Sequence, residues 1–530
     1  MAFTSIYFLI FAAITICLYY AIPLKWKWLL LLAASYAFYL LSSPNTFVFV
    51  IATTVITFLG GLYIGNCNRD HQAYMSAHKA ELTRDERKAL KAASQKKKRR
   101  MVALILILDF GVLAVLKYFR YYLQAAGVFD TGELLIPLGI SFYTFQSAAY
   151  IFDIYRNKIE PDRNIGKFAL FTAFFPQIIQ GPISRHDQLA HQLYEGNRFE
   201  FRNLSYGAQL MLWGFFKKLV IADRAAILVN EVFDNYGDYT GGAVFMALLF
   251  YMIQIYADFS GGIDIARGVA QCMGIDMTHN FLRPYFSHDL SEFWNRWHIS
   301  LSHWCRDYIF YPVAMSKFFG KMGKSLRAVL GDRVGKLFPV IIAQFCTFLT
   351  IGLWHGAEFK YIAYGLYNGT IIVLGLLLEP YFKKILTALH IDEKSKGWKG
   401  FRIVRTFFVV LAGRVFPKAA SFAVAISMFF SMFRLNHGVP FTETVLGLGL
   451  TGTDFLILLA ACIIWFLISL YEEKTARSQG GAGDKAIRDM LERRPLLLRW
   501  ALLLITFAAV LSLGIYGPGY DAAAFIYRGF

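Results

Sequence analysis

Charge is the first thing this chain is short of. Asp, Glu, Lys and Arg make up 17% of its 530 residues, while 57% are hydrophobic and the mean hydropathy is +0.45. Soluble domains carry roughly a quarter charged residues, so a soluble globular protein is excluded. Acidic residues are scarcer still, 36 against 54 basic, for a formal net charge of +18. Cysteine is rare and scattered, at 17, 67, 272, 305, 346 and 462. With no CxxC or metal-type spacing, neither a disulfide framework nor a structural zinc site is implied, and no bound metal is expected. Most of these cysteines lie in apolar sequence as inert small hydrophobes; Cys305 alone falls in a polar stretch where a reactive thiol could serve. The chain also lacks HExxH, a P-loop, GxSxG and any dinucleotide fingerprint. It has no internal repeat and no polar segment long enough for a soluble domain. The short alternating segments of a membrane β-barrel are missing too.

What is present is a series of long apolar runs, each near the ~20 residues that a bilayer core of roughly 30 Å asks of a helix. The plainest are "YFLIFAAITICLYYAI" (7–22), "FVFVIATTVITFLGGLYI" (47–64), "VALILILDFGVLAVL" (102–116) and "FLILLAACIIWFLISLY" (455–471). Others lie near 28–42, 135–154, 165–180, 206–228, 242–266, 338–358, 361–380, 404–433 and 498–516. The expected fold class is an all-α polytopic membrane protein, one membrane domain over 1–530. Within it we expect N-terminal helices over 1–135, a catalytic core over 136–368 and C-terminal helices over 369–530. The first run has no basic flank and no cleavage site, so it reads as a membrane helix and not a signal peptide.

Ten cations from Lys79 to Arg100 crowd the loop 66–100. By the positive-inside rule that loop is cytoplasmic, which puts the amino terminus outside. A basic stretch of this kind could bind RNA, but the simpler reading is a topology determinant against lipid headgroups, with no nucleic-acid partner. "EEKTARSQGGAGDKAIRDMLERR" (472–494) reads as a surface loop with a flexible centre.

Between 136 and 368 the apolar runs are interrupted by Gly, Pro and polar residues. Broken backbone at membrane depth is tolerated only inside protein or beside a water-filled cavity, and ionisable residues there usually mark function. "EFWNRWHISLSHWCRDYIFYPV" (292–313) is the densest example. Read as one helix, it sets Phe293, Trp297 and Trp304 on one side and Arg296, His303 and Asp307 on another, as an interfacial helix would. An interface gives no reason for His298. In "FLTIGLWHGAEF" (348–359), His355 is flanked by Trp354 and Gly356, and the small residues around it would let a substrate approach. Histidine's ordinary pKa near 6.5 suits proton transfer at neutral pH. In "YADFSGG" (256–262), Asp258 reads as a cap before a glycine bend, or as a carboxylate orienting a histidine. "NFLRPYFSHDLSEFW" (280–294) breaks at Pro284, with Ser287 or Asp289 starting the next helix. "FFPQIIQGPISR" (174–185), with Gln177, reads as a broken or re-entrant segment.

Taken in order, "PLGISFYTFQSAAYIFDIYR" (137–156), "FFPQIIQGPISR", "DFSGGIDIARG" (258–268), the run 280–313 and "GLWHGA" (352–357) resemble the membrane-bound O-acyltransferase family. The nearest branch is that of the bacterial alginate O-acetylase membrane subunits, whose ending "FIYRGF" (525–530) resembles. One departure stands out: "GRVFPKA" (413–419), with Arg414 and Pro417, replaces the branch's "WVFFRA"-like run.

The resemblance implies a ring of tilted transmembrane and re-entrant helices around a central tunnel. It implies acyl transfer from a cytosolic thioester, acetyl-CoA or an acyl carrier protein, to a hydroxyl, often on an exported polysaccharide. No resident cofactor is implied. His355 matches the family's near-invariant catalytic histidine and His298 its second. Expected substrate contacts are Trp354, which shapes the pocket, and Arg296, which meets coenzyme A phosphates, with Asn280, Asp258, Gln177 and Trp297. Arg306 and Asp307 are expected to support the segment that carries His298. Implied partners are the donor, the glycan, membrane lipid and an extracytoplasmic acetyltransferase of the SGNH type, at the bacterial cytoplasmic membrane. Two other readings stay open here: D-alanyl transfer to teichoic acid, and a polysaccharide export component.

Overall fold

A computed structural model describes residues 1–119, 122, 127, 137–178, 180–239, 241–434, 446–479, 483–516 and 520. The closing "FIYRGF" therefore lies outside the described residues. Among these residues the structure is helical, with one isolated β-bridge. Eight helices among the described residues are long and apolar enough to cross a membrane. The chain divides into two compact units, Met1–Gly207 with Ala266–Thr278, and Ala208–Ile265 with His279–Phe530.

The first unit holds α1 (Ile6–Ala21), α2 (Lys27–Ser42), α3 (Phe47–Ala77), α4 (Arg84–Ala114), α5 (Ile140–Tyr155), α6 (Ile165–Ala173), α7 (His186–Glu195) and the start of α8 (Phe201–Phe215). The basic loop is mostly helix. Both α3 and α4 run on past their apolar stretches and leave only residues 78–83 as a turn. Thr83 and Glu86 form a reciprocal capping box at the start of α4, which satisfies two otherwise orphan backbone donors. Not all of its cations face headgroups: Lys98 is buried and donates to Asn68 Oδ1 at 2.7 Å. The run 165–180 is shorter than a span. α6 has nine residues, and after Phe174 only the turn Phe175–Ile178 is helical, as a broken segment requires.

The second unit holds α9 (Asp223–Asp234), α10 (Gly242–Cys272, its last seven residues grouped with the first unit), α11 (Leu290–Arg296), α12 (Ile299–Cys305), α13 (Lys317–His355), α14 (Phe359–Ala388), α15 (Lys396–Lys418), α16 (Phe422–Ser431), α17 (Gly452–Gln479), α18 (Ala486–Glu492) and α19 (Leu496–Leu513). Two expectations fail here. α10 runs unbroken through "DFSGG", so Asp258 caps nothing and its glycines make no bend. Gly261 instead gives backbone room: a Cβ there would sit 2.9 Å from Gly214 O. The 404–433 run is likewise two helices, α15 and α16.

α13 and α14 form a hairpin around small residues, Gly352 on one helix with Gly356 just past its end, and Gly365 and Gly369 on the other. Without a hydrophobic drive between helices in lipid, close backbone approach at such positions supplies the packing. A Cβ on Gly352 would lie 2.5 Å from Tyr361 O. Gly352→Ala should therefore lower the thermal midpoint of the detergent-solubilised protein. Gly375→Ala on α14, where a Cβ meets nothing within 4 Å, should match or exceed the parent, since Ala is favoured over Gly in a helix by about 1 kcal/mol. Equal midpoints for the two variants would contradict this packing.

Candidate active site

Residues 292–313 are not one helix. Asp289 caps α11, accepting the Glu292 N–H at 2.9 Å, as its place before an apolar run suggests. The helix then stops at Arg296 because the chain pairs with another segment. Phe281 and Trp297 form an antiparallel bridge, Leu282 N donates to Arg296 O, and Ile299 N donates to Asn280 O, both at 3.0 Å. The Asn280 side chain adds a third link, its Oδ1 accepting from Ser300 N at 3.0 Å. Between these anchors His298 adopts φ 46° and ψ 54°. That left-handed conformation is uncommon for a residue with a Cβ, and such residues cluster at functional sites.

The turn sends the His298 side chain into the protein, where it is 1% exposed. Its ring lies 4.9 Å from that of Phe259 and 5.6 Å from that of Trp354. His355 ends α13, also buried, with its ring 4.8 Å from Trp354 and 5.8 Å from Tyr364. Both histidines therefore meet the same indole. The small residue beside His355 has a different use from the one expected: the Tyr361 ring, not open space, fills the place of a Gly356 side chain.

The tryptophans of this stretch form no interfacial belt. Trp294, Trp297 and Trp304 are all buried. Trp297 packs in an aromatic cluster with Phe281, Phe293 and Tyr256, and Trp294 Nε1 donates to Asn368 Oδ1 at 3.1 Å.

Burial pushes the His298 imidazole down to about 3, because charging it there would forfeit hydration. It is neutral at physiological pH and presents one N–H and one bare nitrogen. Burial pushes the Cys305 thiol up to about 12, which removes the thiolate that a reactive cysteine needs.

Arg296 belongs to an ion-pair network. It donates to Glu473 at 2.9 Å and to Glu292 at 2.6 Å, while Arg283 donates to the same Glu473 at 2.9 Å. Burial works against an ionised Glu292, but hydrogen bonds from the His288 backbone and ring, with the Arg296 charge, hold its carboxyl below the usual range. In this arrangement Arg296 ties the end of α11 to α17. Glu473, read from sequence as part of a surface loop, is buried within α17. Its local partner, Arg477 one turn on, would suit an exposed helix as well; the two arginines that draw it inward lie almost two hundred positions upstream.

Of the remaining expected residues, Asp258 is buried and paired with Lys218 at 2.6 Å; Lys218 also meets Asp223 at 2.8 Å. Arg306 and Asp307 pair with each other at 3.0 Å on a π-helical turn after α12. Gln177 belongs to the first unit, buried in the turn 175–178 with no hydrogen-bond partner for its carboxamide among the described residues. Sequence reasoning missed Phe259, Tyr361, Tyr364 and Asn368, whose only local signal is apolar or helical spacing.

The left-handed turn makes a stability test. A left-handed residue with a Cβ costs roughly 1–2 kcal/mol that glycine avoids. His298→Gly should thus melt above His298→Ala although it removes more side chain. The reverse order would mean that the turn is unstrained.

The sequence pattern described as MBOAT, membrane-bound O-acyltransferase family, matches residues 161–331. A probable alginate O-acetylase of Azotobacter vinelandii is 32% identical over 447 residues, covering 82% of this chain and 78% of that protein. A peptidoglycan O-acetyltransferase of Helicobacter pylori is 29% identical, covering 64% of this chain and 66% of its own. A teichoic acid D-alanyltransferase of Bacillus subtilis is 30% identical over 48% of this chain and 62% of its own. The helical membrane architecture and these likenesses agree: the chain belongs to the membrane-bound O-acyltransferase family and is a multi-pass membrane O-acyltransferase.

Proposed function

We propose that this enzyme moves an acetyl group from a cytosolic thioester, acetyl-CoA or an acetylated carrier protein, toward hydroxyls of an exported or cell-surface polysaccharide. The observation that carries this reading is the meeting of the His298 and His355 rings on Trp354. Relatives named acetylases align over 82% of the chain and a D-alanyltransferase over 48%, which favours acetyl as the cargo. The proposed setting is the bacterial cytoplasmic membrane, with the amino terminus outside and the cations of 66–100 on the cytoplasmic side.

His355 acts as general base. It takes the hydroxyl proton as the oxygen attacks the thioester carbonyl carbon. Neutral His298 donates its N–H to the carbonyl oxygen as negative charge develops there. The C–S bond then breaks, the thiolate recovers the proton from His355, and an ester and a free thiol remain. The same steps serve if the hydroxyl belongs to an extracytoplasmic acetyltransferase partner of the SGNH type that passes the group to the glycan. Trp354 spaces the two imidazoles, while Asn280 and Arg296 position the turn that bears His298. Trp297, Asp258 and Gln177 remain proposed contacts or supports of the substrate path, and Arg306 with Asp307 supports the segment that carries His298.

The test is purified protein in nanodiscs with radiolabelled acetyl-CoA and a glycan acceptor, following thiol release and label transfer. His355→Ala should lower turnover by about 10²–10⁴ at unchanged abundance, the usual contribution of a general base. Wild-type turnover by that variant would overturn the assignment. Burial keeps His298 in its neutral form, with its N–H in place, across the assay range. His298→Gln should therefore slow turnover by about 10²-fold or more while leaving the acid limb of the rate profile where it was. A shifted limb would make His298 the titrating base.

A further inference from the structure

Arg414 is a charged side chain that the chemistry above does not use. It is 1% exposed, and it stands in "GRVFPKA". Its guanidinium carbon lies 4.3 Å from the Trp297 ring centroid, 5.7 Å from that of Tyr364 and 5.9 Å from that of Phe293. Gly413 brings α15 this close to α14: a Cβ there would fall 2.7 Å from the Tyr367 ring, whose hydroxyl donates to Val409 O at 2.8 Å. Around it, Tyr251 on α10, Tyr285 on the 284–286 turn and Tyr364 on α14 are within electrostatic reach.

Two of these contacts lead to the active site. Trp297 is the residue before His298, and the Tyr364 ring lies 5.8 Å from that of His355. Burying a guanidinium costs several kcal/mol before compensation. A desolvated cation over an aromatic face returns about 2 kcal/mol or more. An apolar side chain of similar length would fill the same space. A planar cation does something that such a side chain does not: it holds Trp297 and Tyr364, from separate elements, to one point.

We propose that Arg414 is a positioning residue for acyl transfer, a buried cation that ties the Trp297–His298 turn to the Tyr364–His355 side of the site and so fixes the spacing of the two imidazoles. The inference rests on the assignment of those histidines as the reacting pair.

The experiment measures kcat and KM for acetyl-CoA in nanodiscs for Arg414→Met, Arg414→Lys, Trp297→Leu and the Arg414→Met/Trp297→Leu double variant, with His355→Ala alongside. Misplacing a catalytic group by about 1 Å costs about 10²-fold. Arg414→Met should therefore lose about 10–10² in kcat with KM within about twofold. Arg414→Lys, which keeps the charge but not the plane, should recover part of that loss. The losses of Arg414→Met and Trp297→Leu should not multiply in the double variant. A folded Arg414→Met with wild-type kcat overturns the proposal, as do fully multiplicative losses. Should Arg414→Met fail to accumulate, Arg414→Lys decides: reduced kcat at unchanged KM supports the role, and unchanged kcat overturns it. His355→Ala separates the two layers. If it is active, the histidine assignment falls; if it is inactive while Arg414→Met is normal, only this inference falls.

Discussion

The site depends on one backbone turn. At Trp297–His298 a helix stops and the chain pairs for a moment with Phe281. Asn280 holds the turn through its carbonyl and its side-chain oxygen. Without that pairing, 292–305 would continue as an amphipathic helix and His298 would take its place in the helical register. With it, His298 is left-handed, inward and dry. The strain of that conformation is offset by three backbone donors satisfied at once and by the burial of Trp297 among aromatic rings.

Burial then decides the chemistry. A histidine surrounded by Phe259 and Trp354 stays neutral, and a neutral imidazole donates a hydrogen bond without bringing a charge that must be solvated. The charged groups of the region are sorted away from it. Arg283 and Arg296 converge on Glu473, and Lys218 is held by Asp258 and Asp223. Each of these buried ions has its counter-ion, as a low-dielectric interior demands. Arg414 rests on aromatic faces, and those faces belong to the walls of the site.

Much of the fold was legible because the bilayer imposes length and apolarity on every span. The runs near 47–64, 102–116, 242–266 and 455–471 became helices with longer ends than expected, since polar residues beyond an apolar run can continue a helix into the interface. The reading failed where tertiary contacts competed with local pattern. "DFSGG" looked like a bend, yet Lys218 satisfies Asp258 and the Gly214 backbone needs the space at Gly261. "EEK" looked like the start of a loop, yet two distant arginines draw Glu473 inward. Tryptophans suggested an interface, yet a neighbouring aromatic cluster buries them.

By itself the sequence determined the membrane class, the broken middle third and the two histidine motifs, because hydropathy, glycine and proline placement and residue type are local properties. Only the tertiary structure decided that His298 and His355 share one indole, that Gly356 makes room for Tyr361, and that Arg414 touches the walls beside both histidines. Those are contacts between segments far apart in the chain. They arise from packing and from the pairing of buried charge, and no window of neighbouring residues encodes them.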